Sequence, residues 1–357
     1  MRSNYKKLGG YIRPVDERNN DGALGEDNLY GISVTKEFII SHANLVGVTF
    51  DGYKVVAPRQ FVYIPDTSRR GDKIAISLNT FGEKIIVSSI CSVFEIIDEN
   101  KLLPEYLMLW FMRPEFDRYA RFMSNGSARE VFDWDCMCGV ELPVPPLSEQ
   151  QKIVRDHQVI TERIAILQKT MGCLEAICEA EFDRISADAS PRGSIALETL
   201  ISFGNGKSRP SEIGDVPVYG GNGIMSYTNQ SNAENAVIIG RVGAYCGSVY
   251  YETGQCWISD NAIVAKSKIT TEEYFDYSLL RRLNLYNYHI GTGQQLLTQG
   301  ILNNILCPEY TSEDITLFNQ KMAPVFKSLR LYSREISQLN NAVIVLLSSI
   351  ATKEKGA

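Results

Sequence analysis

The sequence predicts an α+β chain in which two globular α/β domains are joined by two long helices packed as an antiparallel intramolecular coiled coil. Three observations carry this expectation. Gly126-Ser127-Ala128 opens a stretch that closes at Leu142-Pro143, and Gly291-Thr292-Gly293 opens one of the same length that closes at Cys307-Pro308. A Ser-Glu pair follows each proline, Ser148-Glu149 and Ser312-Glu313, and each pair leads into a long heptad-patterned run. Upstream, Pro104-Glu105-Tyr106-Leu107 matches Glu272-Glu273-Tyr274-Phe275. Such internal repetition is the mark of a duplicated module. The boundaries read as 1–147 and 189–311 for the globular domains, with helical spacers at 148–188 and 312–357.

Within the first domain, Tyr53-Lys54-Val55-Val56, Phe61-Val62-Tyr63-Ile64, Ile74-Ala75-Ile76-Ser77, Ile85-Ile86-Val87 and Ser92-Val93-Phe94-Glu95-Ile96-Ile97 are β-rich runs. Turn chemistry at Asp51-Gly52, Ala57-Pro58, Arg70-Gly71-Asp72 and Phe81-Gly82 separates them. One helix is expected from about Pro104 to Phe122, with proline in its first turn. Pro143-Val144-Pro145-Pro146 then imposes an extended exit. Ser148 is a natural N-cap with Glu149 in the first turn. From there Ile153, His157, Ile160, Ile164, Leu167, Met171, Leu174, Cys178, Glu181 and Ile185 alternate spacings of four and three, the seam of a coiled coil about 55 Å long. Gly172 is its weak point.

After the linker 187–193, the second domain offers strands at Pro217-Val218-Tyr219, Ala236-Val237-Ile238-Ile239, Ser248-Val249-Tyr250-Tyr251 and Ala262-Ile263-Val264-Ala265, then a helix from about Thr271 to Leu285. The second seam runs Phe318, Met322, Val325, Leu329, Tyr332, Ile336, Leu339, Val343, Leu346 and Ile350, with Pro324 expected to kink it or mark its true start. Two such helices in one chain can pair with each other. A parallel pairing would need a connection running the full length of the rod, so the antiparallel one is expected.

Composition narrows the class. The chain is 44% hydrophobic, enough for sizeable cores, and has no apolar run long enough to span a bilayer. The basic N-terminus is followed by Gly9-Gly10-Tyr11-Ile12-Arg13 rather than a signal-peptide core, and the eight cysteines show no CxxC spacing. Free thiols in a cytoplasmic protein are the reading. A net charge of −6 argues against nonspecific coating of nucleic acid and leaves room for a local basic surface.

No catalytic or metal-binding set stands out. Gly204-Asn205-Gly206-Lys207-Ser208 lacks the first glycine of a phosphate loop, and Arg209-Pro210 follows where its helix would open. No amino-methylation motif, cofactor loop or nuclease constellation is present. The histidines, His42, His157 and His289, fall in different segments.

What remains is polar loops on both modules. In the second they supply Lys207, Tyr219, Asn222, Arg241, Tyr245, Gln294, Gln295, Thr298 and Gln299. In the first they supply Lys36, Arg59, Arg69, Arg70, Lys73, Asn79, Thr80 and Arg129. Asn and Gln can read adenine edges and Arg guanine, while Lys207 suits a phosphate. Each alone could equally be a solvated turn.

Several of these stretches resemble the specificity subunits of type I restriction-modification systems. The marks are Leu142-Pro143-Val144-Pro145-Pro146-Leu147-Ser148-Glu149-Gln150-Gln151-Lys152-Ile153, Pro217-Val218-Tyr219-Gly220-Gly221-Asn222-Gly223, Gly240-Arg241-Val242-Gly243 with Gly247, Ser259-Asp260-Asn261-Ala262, and Gly291-Thr292-Gly293-Gln294-Gln295. The likeness covers the whole chain and is more specific in the second half and both helices. The first domain has no Tyr-Gly-Gly-Asn-Gly counterpart, as expected if each domain reads different bases. The resemblance implies two target-recognition domains, each reading half of a split site on double-stranded DNA. It further implies helices that space the halves and dock two methyltransferase subunits, and a translocating restriction subunit that can join. S-adenosylmethionine would be bound by those partners, with no cofactor and no chemistry in this chain. The alternatives are the recognition domain of a fused DNA methyltransferase, against which the missing motifs tell, and a protein-only coiled-coil adaptor, which leaves the polar loops unexplained.

Overall fold

The computed structural model describes residues 5–40, 48–66, 71, 73–124, 130–291 and 293–352. It divides into two compact units. One comprises Met1–Ile164 with Gln338–Ala357, the other Ala165–Ser337. Both long helices run through this division. Each is shared out between the units and supplies part of their cores.

In the first unit the strands are β1 (Tyr5–Lys7), β2 (Ile12–Val15), β3 (Tyr30–Ile32), β4 (Phe38–Ile40), β5 (Lys54–Val56), β6 (Phe61–Ile64), β7 (Ala75–Leu78), β8 (Ile85–Val87), β9 (Ser92–Ile96) and β10 (Glu141–Pro143). Its helices are α1 (Pro104–Phe111), α2 (Pro114–Met123), α3 (Trp134–Cys138) and the start of α4 (Leu147–Ala189). A four-stranded antiparallel sheet, ordered β2-β9-β6-β7, has both faces covered. Phe61, Tyr63, Ile74, Ile76 and Phe94 pack toward the helices, joined there by Ile153 of α4 and by Leu347 and Ile350 near the chain's end. Val62, Ile64 and Ala75 pack the other way, with Val56, Ile85 and Val87. Two buried faces explain why these strands are continuous apolar runs rather than alternating ones.

The second unit contains β11 (Ser194–Ala196), β12 (Ile201–Asn205), β13 (Val216–Gly220), β14 (Gly223–Thr228), β15 (Ala233–Gly240), β16 (Val249–Ile258), β17 (Ala262–Ser267), α5 (Tyr274–Arg282), α6 (Gln299–Asn303), β18 (Leu306–Pro308) and most of α7 (Ser312–Thr352). Its six-stranded sheet is ordered β12-β17-β15-β16-β13-β14 and is antiparallel except where β13 meets β16. Val237, Ile239, Ile263 and Ala265 face a core completed by Cys178, Phe182 and Ile185 of α4 and by Phe318, Met322 and Phe326 of α7. Phe182 meets Phe318 edge-on at 5.8 Å, and Lys321 pairs with Glu181 at 2.9 Å. Here Ser186 also meets the Tyr310 hydroxyl at 2.9 Å, so α4 advances as the chain entering α7 recedes, the antiparallel sense expected.

The duplication is visible as matched framework. An entry strand pairs antiparallel with an exit strand in each unit, Tyr5 opposite Pro143 and Ser194 opposite Pro308. A short helix capped by its preceding side chain comes just before each exit: Asp133 accepts from Cys136 N at 2.8 Å, and Thr298 from Ile301 N at 3.3 Å. A buried carboxamide on the long helix then braces the unit's own helix. Gln150 accepts from Leu103 N at 2.9 Å and donates to the carbonyls of Lys101 and Pro145. Asn319 accepts from Phe275 N and donates to Thr270 Oγ1 and the Glu272 carbonyl, all at 2.8 Å.

Some expected boundaries move. The helix expected over 104–122 is two helices, because Pro114 disfavours a helical conformation at Arg113, which is extended. α4 starts at Leu147, one residue before the expected cap, whereas α7 starts at Ser312 behind a reciprocal Thr311–Asp314 cap. Pro324 lies inside α7 and is not its start. The helix expected over 271–285 is confined to 274–282, followed by a 3-10 turn at Leu285–Tyr288. Strands β1 to β4, β10 to β12, β14 and β18 were not anticipated; most are three- or four-residue pieces whose partners lie far along the chain. Every seam position of both helices is buried or half-buried, His157 and Glu181 included.

A candidate nucleic-acid interface

In the second unit, backbone hydrogen bonds tie separate loops into one framework. Segment 258–262 is its centre. The Ile258 and Ala262 carbonyls accept from Lys207 N and Gly206 N, the Tyr219 carbonyl accepts from Ser259 N, and Arg241 N donates to the Asn261 carbonyl at 3.0 Å. Loop 240–247 extends it: Leu297 N donates to the Arg241 carbonyl, and Gly243 N to the Gln295 carbonyl. Glycine is needed where chains nearly touch. A Cβ on Gly206 would lie 2.0 Å from the Ser259 carbonyl oxygen, and one on Gly240 2.5 Å from that of Gly221. Lys207, Asn222, Arg241, Tyr245, Gln294 and Gln295 thus issue from a single rigid scaffold. Lys207, Asn222 and Gln294 are exposed, Tyr245 is 51% exposed, and Arg241 and Gln295 are half-buried. The Arg241 Nε is buried and has no hydrogen-bond partner among the described residues.

The remaining expected residues of this unit serve the framework. Tyr219 is buried and its hydroxyl donates to Glu252 at 3.0 Å; burial, then Glu252, pushes its pKa far up, so it stays a neutral donor. Thr298 caps α6, and Gln299 is half-buried in its first turn.

The first unit disperses its expected residues. Lys36 is buried against Asp117 at 2.6 Å, burial pulling its pKa down while Asp117 opposes. Arg59 is gripped by Glu99 at 2.7 Å and Glu105 at 2.6 Å, and Glu99 above all raises its pKa. Both residues have positive φ, 68° and 70°, so they sit at turn positions built by the fold. Asn79 is buried, donating to the Val56 and Glu83 carbonyls and accepting from Phe81 N, a turn brace. Lys36 and Arg59 thus both pair with carboxylates, and the Asn79 carboxamide bonds to backbone groups on both sides of its turn. Thr80 and Lys73 are exposed. Arg69, Arg70 and Arg129 lie outside the described residues.

Tyr286-Asn287-Tyr288-His289 lines the same framework; of these the sequence singles out only His289, as one of three scattered histidines. Gly247, at φ +86°, seats against it so closely that a Cβ would lie 2.4 Å from Tyr286 N. Its signal was available: an aromatic and polar run that ends two residues before the repeated mark at Gly291.

Comparison with known proteins agrees with this architecture. A family model described as the type I restriction modification DNA specificity domain matches residues 11–171 and 205–308. Over 106 residues the chain is 30% identical to the type I restriction enzyme EcoprrI specificity subunit of Escherichia coli, a match spanning 29% of this chain and 26% of that relative. The fold is similar to the crystal structure of a type I restriction-modification system S subunit from M. genitalium, with a TM-score of 0.65, 14% identity, and coverage of 97% of this chain and 95% of that one.

Proposed function

The chain belongs to the type I restriction modification DNA specificity domain family, and from that premise we propose that it is the DNA-reading subunit of a cytoplasmic methyltransferase complex, without catalysis of its own. Each unit reads one half of a split site on double-stranded DNA, and the two long helices set the distance between the halves. Two methyltransferase subunits carry S-adenosylmethionine and transfer its methyl group to adenine; a restriction subunit can join them.

The observation that carries this reading is the loop framework of the second unit. It holds donors and carboxamides of the kinds that contact base edges and phosphates on one rigid support. A docking surface for partner helices is available as well. Ile166 and Ile177, both on the second unit's part of α4, are 57% and 52% exposed, at a spacing that places them on one outward face. Among the described residues no helix is long and apolar enough to cross a membrane.

The test is co-purification with a type I methyltransferase subunit from the same source, followed by methylation assays with and without this chain. Site-specific methylation should require both proteins, and calorimetry should find no S-adenosylmethionine bound to this chain alone. Stoichiometric cofactor binding by the isolated chain would instead favour a fused methyltransferase.

A further inference from the structure

Building on the DNA-reading assignment, we propose that His289 is a specificity-determining residue of the second unit, its Nε2 accepting a hydrogen bond from the exocyclic amino group of one base. Its Nδ1 lies 2.6 Å from the Tyr286 carbonyl oxygen. A carbonyl only accepts, so Nδ1 carries the proton and, in the neutral ring, Nε2 keeps its lone pair. Nε2 has no partner among the described residues. The Tyr286 ring, 4.7 Å away between centroids, fixes the plane of the imidazole.

The framework fixes its position. Ile290 and Leu296 exchange backbone hydrogen bonds at 3.0 and 2.9 Å, and Leu297 N reaches the Arg241 carbonyl. His289 therefore leaves from the same scaffold as Arg241 and Gln294. Like the Gln294 carboxamide, it can offer an acceptor that the cations of the scaffold lack. Lys207 and Arg241 only donate, while the amino groups of adenine and cytosine in the major groove require an acceptor.

The experiment uses the full chain assembled with its methyltransferase and a duplex carrying the site found by sequencing methylated DNA. Amino groups in the half-site are deleted one at a time, with purine replacing adenine and pyrimidinone replacing cytosine. At one position the deletion should weaken wild-type binding by about 5- to 100-fold. His289→Leu should lose the same factor on the intact site and be indifferent to that deletion, and His289→Gln, which keeps an acceptor, should recover part. The idea is overturned if His289→Leu keeps full discrimination, or if it weakens all sequences alike with effects that simply add to the deletions. Arg241→Ala, measured in parallel, separates the two levels. Loss of discrimination there but not at His289 removes only this inference, and loss at neither removes base reading by this scaffold.

Discussion

Asn319 holds the start of α5 with three hydrogen bonds, each 2.8 Å long. Asn319→Ala would leave the buried Phe275 N–H without an acceptor, so a loss of roughly 2–3 kcal/mol is expected. Urea unfolding measures it, and hydrogen exchange should show the first turn of α5 opening first. Unchanged exchange there would mean the brace is redundant. Asp276, two residues into the same helix, is only 1% exposed, and burial pushes its carboxyl up to about 7, against an opposing pull from Ser267. Between about pH 4 and pH 7 the unfolded chain has lost this proton while the folded one keeps it. Stability should therefore fall as pH rises through that window and level off above it. Asp276→Asn should remove this component, gaining up to roughly 4 kcal/mol over the native chain at pH 8 and little at pH 4. Glu273, also raised by burial but paired with Lys266, leaves a smaller slope of the same sign in both proteins.

The elements obey the periodicities visible in the sequence. Every seam residue of α4 and α7 is withdrawn from solvent, because a heptad pattern keeps one stripe of a helix against its neighbours. Gly172 lies on the exposed side of α4, and a Cβ there would meet nothing within 4 Å. Gly172→Ala should therefore stabilise the helix by about 0.8–1 kcal/mol. Thermal unfolding should show a raised midpoint; a lowered one would mean the glycine serves a bend or a partner. The strands were legible where the chain buries both faces, as at Phe61–Ile64 and Ala236–Ile239. The entry and exit strands were not, since Tyr5–Lys7 is polar and gains its pairing only when Glu141–Pro143 returns beside it.

Across the whole molecule, the proposed spacing role of the helices can be tested by lengthening both. The structure shows where. An insertion after Ala180 would cut the second unit's core between Cys178 and Phe182, whereas the units divide at Ile164/Ala165 and Ser337/Gln338. Four residues at each division would add about 6 Å to each helix and keep their heptads in phase with one another. A complex so modified should methylate the same two half-sites separated by about two more base pairs at 3.4 Å each. One insertion alone should mostly destabilise, because it turns part of a seam toward water. If the doubly extended protein is folded and active on the original spacing, the helices do not set the distance.

The duplication, the two seams, the doubly buried strands and the family were all present in the sequence, because they rest on local periodicity and short motifs that need no partner to be recognised. Which polar residues are available to a ligand was decided by tertiary structure alone. Lys36 and Arg59 look as suitable as Lys207 and Arg241 in the sequence, yet Asp117, Glu99 and Glu105 converge on the first pair from distant positions. Tyr219, inside the Tyr-Gly-Gly-Asn-Gly mark, is buried, with its hydroxyl donating to Glu252. His289 acquires its proton placement only when the chain turns the Tyr286 carbonyl onto its ring. Burial and ion pairing depend on what long-range folding brings alongside a residue, and that information is distributed over the whole chain rather than held at the residue itself.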